Sequence, residues 1–220
     1  AAMQRILEPE IMADADQALA YANADFAASN QRFVDCLDAA DRASLRRVVD
    51  IGCGPCDVMI RLAAACPDVR ITAVDGSAAM IGLATEALRA AGLADRVVAM
   101  QGTIPGLALP ERTFDAVLSK DLLHHLPAPM VLWSEAKRLG RAGAVVHVMD
   151  LIRPATPADA RDIVEAVAPH EHPILKDDFY NSLCAAFTVA EVEAQLRAAG
   201  LRLDVARVSD RHMLVSGRLD

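Results

Sequence analysis

Between Arg47 and Asp150 the chain repeats one pattern. A short run of β-branched and small apolar residues ends near a glycine or an acid, and a stretch with helical spacing follows. The runs are Arg47–Ile51, Arg70–Val74, Arg96–Gln101, Thr113–Leu118 and Ala144–Met149. Helical spacing marks Val58–Ala65, Ser77–Ala91 and Pro129–Leu139 between them. Strands that are apolar along their whole length bury both faces. That needs a mainly parallel sheet with helices on either side. The pattern predicts one α/β domain.

The flanking segments read differently. Residues from about Glu10 to Ala40 carry apolar positions at helical spacing, with a break expected near Ala28-Ser29-Asn30 and Ser29 or Asn30 as a cap. Pro154 to Phe187 is rich in Pro, Asp and His and holds helical pieces such as Pro157–Val167. Thr188–Ala199 is a helix with a capping box, Thr188 and Glu191, and Gly200 ends it. Leu201–Val208 and His212–Gly217 form a final antiparallel pair around Ser209-Asp210-Arg211. The expected organisation is a single domain over 1–220: helical lid 1–42, core 46–150, substrate or lid insertion 151–187, and C-terminal helix and strand pair 188–220.

Composition narrows the partners. The net charge is −8, which disfavours a nucleic-acid backbone as the main partner. Apolar residues make up 54% and aromatics only 4%, so the core is built mostly from Ala, Val, Leu and Ile. No apolar run reaches the ~18 residues of a membrane helix, and no secretory signal is visible. Five cysteines, scattered and odd in number, read as free thiols in a reducing compartment. The expectation is a cytoplasmic protein with a small-molecule partner. Its oligomeric state is left open, a homodimer being one option.

The loop after the first strand, Asp50-Ile51-Gly52-Cys53-Gly54-Pro55-Cys56-Asp57, carries the chemistry and has two readings. Cys53-Gly54-Pro55-Cys56 spells a Cys-x-x-Cys pair at a helix start, where a thiol pKa falls. Ile104-Pro105 lies where a thioredoxin-type fold wants a proline. Such a fold, however, needs only about half of this chain. In the other reading, Gly52 and Gly54 let the backbone approach a ligand closely. Asp75, ending the second strand, offers a carboxylate to ribose hydroxyls. A dinucleotide fingerprint would need glycine where Asp57 stands. Asp50, Asp57 and Asp75 together favour a cationic or neutral nucleoside over a polyphosphate.

Val48–Cys56, Ile71–Gly76, Phe114–Lys120 and Ala144–Asp150 together resemble a class I methyltransferase dependent on S-adenosylmethionine (SAM). The likeness spans about Arg46 to Asp150, and Leu201–Gly217 fits the same fold. It implies a Rossmann-like seven-stranded sheet, mostly parallel with an antiparallel C-terminal strand, helices on both faces and an N-terminal helical lid. The cofactor implied is SAM, with S-adenosylhomocysteine as product.

The resemblance also assigns roles. Asp50, Gly52, Cys53 and Gly54 would border the methionine part, the loop mostly through backbone atoms. Asp75 would hold the ribose, with Gly76 beside it. Met80 would pack on the adenine, and Gly102, Thr103 and Ile104 would border its ring. Ser119 and Lys120 would flank the methionine end, and Tyr21 would lie on a helix closing over the cofactor. Cys56 stands where many members have a third glycine. Plainer roles compete: Asp75 as a cap for the helix starting at Ser77, Met80 as core.

Methyl transfer from a sulfonium is an in-line displacement, so the protein chiefly aligns and desolvates the partners. A hydroxyl or protonated amine also needs a base. His124, His125 and Tyr180 are the catalytic candidates, with Asp150, His170, His172, Lys176, Asp177 and Asp178 as further titratable groups near the same edge. The histidines could instead be a helix cap and a buried donor, and Tyr180 could simply dock its segment. No metal is expected, because His170-Glu171-His172 lacks a third ligand. Two alternatives stay open: a SAM-binding enzyme that eliminates or cyclises, and a thiol–disulfide protein using Cys53 and Cys56.

Overall fold

The computed structural model describes residues 3–8 and 26–220. Within the second span the chain runs α1 (Ala27–Asp35), α2 (Ala39–Ser44), β1 (Arg47–Ile51), α3 (Asp57–Ala65), β2 (Arg70–Asp75), α4 (Ala78–Ala90), β3 (Val97–Gln101) and β4 (Phe114–Lys120). A 3-10 turn (Leu123–His125) precedes α5 (Met130–Leu139), β5 (Gly140–Leu151), α6 (Pro157–Val167), α7 (Pro173–Ala185), α8 (Val189–Ala199), β6 (Asp204–Arg207) and β7 (His212–Arg218). One seven-stranded sheet has the order β3-β2-β1-β4-β5-β7-β6. Strands β1 to β5 are parallel, and β7 runs antiparallel to both β5 and β6.

Alternation along the strands divides the interior. Val48, Ile71 and Leu118 face a core shared with Phe33, Met59 and Leu62. Val49, Val74 and Val117 face the opposite core, built around Leu132, Trp133, Val192 and Leu196. Each fully buried side chain of this size contributes on the order of 1.5–3 kcal/mol. A smaller cluster under α6 and α7 holds Leu151, Ala160, Val164 and Leu183.

The sheet and the strand–helix alternation agree with the expectation from sequence, and the thioredoxin-type alternative is overturned by the seven-stranded order. The capping box on α8 forms as expected, and Ser77 caps α4 by accepting from the Met80 N–H. Local corrections have physical causes. Ser29 and Asn30 lie inside α1 rather than at a break. Asn30 spends its amide across the fold, donating to Asp57 Oδ2 at 2.8 Å. Strand β5 starts at Gly140, earlier than Ala144, because Gly140 already pairs with Phe114 before the register shifts. Strand β6 is shorter than Leu201–Val208. The expected helix over residues 9–25, with Tyr21, lies outside the described residues. Among the described residues no helix is long and apolar enough to cross a membrane.

Candidate active site

The strand order reverses beside β1, where β2 leads one way and β4 the other. In open α/β sheets the crevice beyond the carboxyl ends at such a point takes ligands. Here a cleft of about 200 Å³ is lined by Asp50, Gly52, Cys53, Gly54, Lys120 and Asp121, among others from α1 and α3. Helix α1 is held over this edge by His147 on β5, whose Nε2–H donates to the Phe33 carbonyl at 2.9 Å. Burial pushes His147 down to about 4, partly offset by that hydrogen bond, so it is a neutral anchor at pH 7.

The glycine loop has the geometry that close approach requires. Gly52 has φ +84°, and a Cβ there would meet Leu122 Cβ at 2.9 Å. Gly54 has φ +51° with open space where a Cβ would go. The Gly52 and Cys53 N–H groups both donate to the Val74 carbonyl, tying the loop to β2. Asp75 receives the Gly54 N–H on Oδ2 and the Ser77 N–H on Oδ1, each at 2.8 Å. Each carboxylate oxygen still has a lone pair to offer. Asp75 is thus a helix-start acceptor whose two oxygens keep lone pairs for a further donor.

The walls carry unmet polar capacity. Asp50 is 3% exposed, and its Oδ1 is buried without a partner; Asp121 Oδ1 is in the same condition. Burial, reinforced by Asp75 and opposed by Lys120, pushes Asp50 up to about 8. Asp121 sits at about 2: burial works against its charge, but the adjacent Lys120 ammonium prevails. Orphaned buried oxygens cost about 1–3 kcal/mol each. Two of them at one pocket suit a ligand with a cationic end. A pyrophosphate fits poorly, because Asp57 occupies the start of α3, paired with Arg61 at 2.8 Å.

The residues expected beside the adenine lie outside that cleft, at the ends of β2 and β3 and the start of α4. A Cβ on Gly76 would meet Thr103 Cγ2 at 3.3 Å, so the loops after β2 and β3 touch. Gly102 donates its N–H to the Asp75 carbonyl, Ile104 packs on the core below, and Met80 is buried in the first turn of α4. Ser119 does not join the pocket: its hydroxyl donates to the Ile51 carbonyl at 2.7 Å, bracing β4 against β1.

The two cysteines of the loop are free and buried. Cys56 has φ 69°, a left-handed conformation that accounts for the glycine expected there. A neighbouring Cys56 thiol and burial push the Cys53 pKa up, the reverse of an activated thiol. Cys56→Ala should therefore leave S-adenosylhomocysteine affinity within about twofold of wild type, measured calorimetrically, because Ala meets the same conformation at similar cost.

A second group of side chains gathers around the 3-10 turn after β4. His124 Nδ1 lies 2.7 Å from Asp150 Oδ1 at the end of β5, with both residues buried, and His124 Nε2 is buried without a partner. Burial opposes a charge on His124, but Asp150 prevails and raises its pKa above the ordinary 6.5. His125 Nδ1 lies 2.5 Å from Glu8 Oε2, and Ser182 on α7 donates to Glu8 Oε1 at 2.5 Å. The two imidazole centroids lie 4.0 Å apart, with the rings tilted by 37°. Arg5 fastens the N-terminal segment to this turn through the His124 and Leu126 carbonyls. Sequence reasoning missed Glu8, Asp121 and Ser182, which carry no local motif. Tyr180 turns away from this group. It packs with the α6 cluster under Arg161, whose guanidinium lies 5.2 Å from its ring centre. His172 caps α7, its Nδ1 accepting from the Ile174 N–H.

Comparison with known proteins supports the resemblance seen in the sequence. Residues 48–143 match the family described as methyltransferase domain. Over that span the chain resembles a methyltransferase domain, and its sheet has the strand order of the solved methyltransferases it superposes on. The chain is 31% identical over 160 residues to 27-O-demethylrifamycin SV methyltransferase of Amycolatopsis mediterranei, covering 73% of this chain and 55% of that protein. The chain thus spans about half the length of that relative. In structure it resembles a candidate SAM-dependent methyltransferase of Methanococcus maripaludis, with TM-score 0.74, 17% identity and 98% of each chain covered. A SAM-dependent methyltransferase of Aquifex aeolicus superposes with TM-score 0.63 and 17% identity, over 87% of this chain and 98% of that one. These two likenesses are of fold.

Proposed function

We propose that this chain transfers a methyl group from SAM to an oxygen of a small molecule, with His124 as the base. The buried His124–Asp150 pair carries the reading. When bound, SAM supplies a methyl group already activated on a sulfonium, so the chain's own residues have three tasks.

The first is to hold the cofactor. Asp75 accepts from the ribose hydroxyls with its remaining lone pairs. Gly52–Gly54 let the backbone lie along the methionine part, and Asp50 and Asp121 face its ammonium with their orphaned oxygens. Met80, Gly102, Thr103 and Ile104 border the base. Lys120 keeps Asp121 ionised.

The second is to take the acceptor's proton. Asp150 accepts from His124 Nδ1–H, which fixes the tautomer and leaves Nε2 to receive a proton from a hydroxyl. The third is to exclude water. The N-terminal segment crosses the histidine turn, with Arg5 stacked 3.9 Å over the Phe187 ring. The name of the Amycolatopsis relative specifies an oxygen acceptor, which supports the same atom here.

Asp50 gives a distinct expectation. An unfolded chain loses this proton near 3.8, whereas the folded one keeps it to about 8. The folded state binds more protons across that window, so stability falls as pH rises through it. The slope is at most about 1.4 kcal/mol per pH unit. Asp50→Asn should flatten this slope in urea titrations between pH 5 and 8. Ammonium binding restores the carboxylate, so wild type at neutral pH should release up to one proton per S-adenosylhomocysteine bound. Calorimetry in buffers of different ionisation enthalpy reads this directly; zero proton release would remove Asp50 from the ammonium site.

The activity test is incubation with methyl-labelled SAM and a panel of phenols, polyketides, amines and thiols. Label appearing on oxygen supports the reading. A panel methylated only at nitrogen or sulfur, or a cognate product without label, overturns it.

A further inference from the structure

Glu8, His124 and His125 each present one ligand atom within 4.8 Å of the others, and two of the three are partly exposed. They come from two parts of the chain: the N-terminal segment supplies Glu8, and the turn after β4, packed against α7, supplies both histidines. We propose that these side chains form a binding site for one divalent transition-metal ion of the zinc class, through His124 Nε2, His125 Nδ1 and a Glu8 carboxylate oxygen.

Three observations support the site. His124 Nε2 is a buried nitrogen with no hydrogen-bond partner, and its residue is 2% exposed. A lone pair left in that condition is costly, and a metal ion satisfies it. Two of the three ligands also have an outer partner. Asp150 holds His124 Nδ1 at 2.7 Å, the carboxylate–histidine arrangement that fixes a ligating imidazole. Ser182 holds the second Glu8 oxygen at 2.5 Å. Finally, two imidazoles and one carboxylate are the donor set of borderline ions such as Zn²⁺ or Co²⁺, rather than of Mg²⁺ or Ca²⁺.

The geometric demand is small. The Glu8–His125 contact, 2.5 Å without an ion, opens to the roughly 3.4 Å that separates ligands around a tetrahedral ion. The His125 side chain is 26% exposed, which gives an ion a route from solvent. Arg5 stands nearby, but its guanidinium is engaged by the Ala185, His124 and Leu126 carbonyls and by the Phe187 ring. The Glu8, Asp150 and Asp121 carboxylates supply the compensating negative field. An ion at this position takes the lone pair assigned above to the acceptor proton, so zinc should antagonise the transferase. That consequence alone rests on the proposed function; the binding does not.

The test uses the full chain, metal-free, untagged and without cofactor. Zn²⁺ is titrated calorimetrically and Co²⁺ by visible absorption. The expected result is one ion per chain at micromolar affinity or tighter, with cobalt d–d bands and no thiolate-to-cobalt charge-transfer band. Glu8→Gln and His125→Ala should each weaken Zn²⁺ at least tenfold, while their metal-free melting temperatures stay near wild type. The proposal is overturned by an absence of binding at millimolar ion or by unchanged affinity in both variants. A thiolate band overturns it too, since that would move the ion to Cys53 and Cys56.

Discussion

Asp75→Ala should weaken S-adenosylhomocysteine binding about a hundredfold. The carboxylate ends β2 at the reversal of strand order and faces the loop through the Gly54 N–H at 2.8 Å. Its loss removes two charge-assisted hydrogen bonds to the ribose, worth about 1.5–3 kcal/mol each in context. It also frees Gly54, whose N–H then no longer pins the loop. Some of the cost falls on the unbound protein, because the Ser77 N–H loses its acceptor as well. The net expectation is about 3 kcal/mol of binding, or two orders of magnitude. Calorimetry on the variant checks it, with circular dichroism to show that the sheet remains. Affinity within threefold of wild type would reduce Asp75 to a helix-start acceptor and nothing more.

His124→Gln should lower methyl transfer to a hydroxyl by about 10²–10⁴-fold, the usual contribution of a positioned base. Gln keeps an N–H for Asp150 Oδ1 and fills most of the buried space, so the turn should hold. It has no imidazole lone pair at the Nε2 position. Asp150→Asn is the companion variant. It retains a hydrogen bond to His124 but can impose the other tautomer, leaving a proton on Nε2 where the lone pair is needed. Both variants should bind S-adenosylhomocysteine as wild type does, since neither residue lines the cofactor cleft. Initial rates with labelled cofactor, set beside the calorimetric affinity, separate the two effects. Loss of cofactor binding in step with rate would place His124 in the cofactor site instead.

The parts legible in the sequence were those set by local chemistry. β-branched runs ending at Ile51, beside Gly52, and at Asp75 and Asp150 marked strands whose carboxyl ends meet at one edge. Thr188 with Glu191 marked a helix start, and Gly52 and Gly54 marked backbone that needs positive φ. The parts not legible depend on distance in the chain. His124 and Asp150 were each named as candidates, but 26 residues separate them, and only the β4–β5 pairing brings them together. Glu8 reaches His125 from a segment distant in sequence. Ser119 sits in the right strand end, yet its hydroxyl finds the Ile51 carbonyl before it can reach a ligand. Asn30 had the composition of a cap and became a tertiary donor to Asp57. Polar side chains with several good partners are assigned by packing, which a linear pattern does not carry. Cys56 shows the converse. Its departure from glycine was visible, but the left-handed backbone it tolerates was not.

The cleft at the end of β1, walled by the glycine loop with Asp50 and Asp121, and with Asp75 hydrogen-bonded to the Gly54 N–H of that loop, is the proposed SAM site. Isothermal titration of the wild-type chain with S-adenosylhomocysteine tests it most directly. One site per chain with a micromolar dissociation constant, accompanied by a rise in melting temperature, is the predicted result. No heat and no thermal shift at millimolar ligand would contradict it.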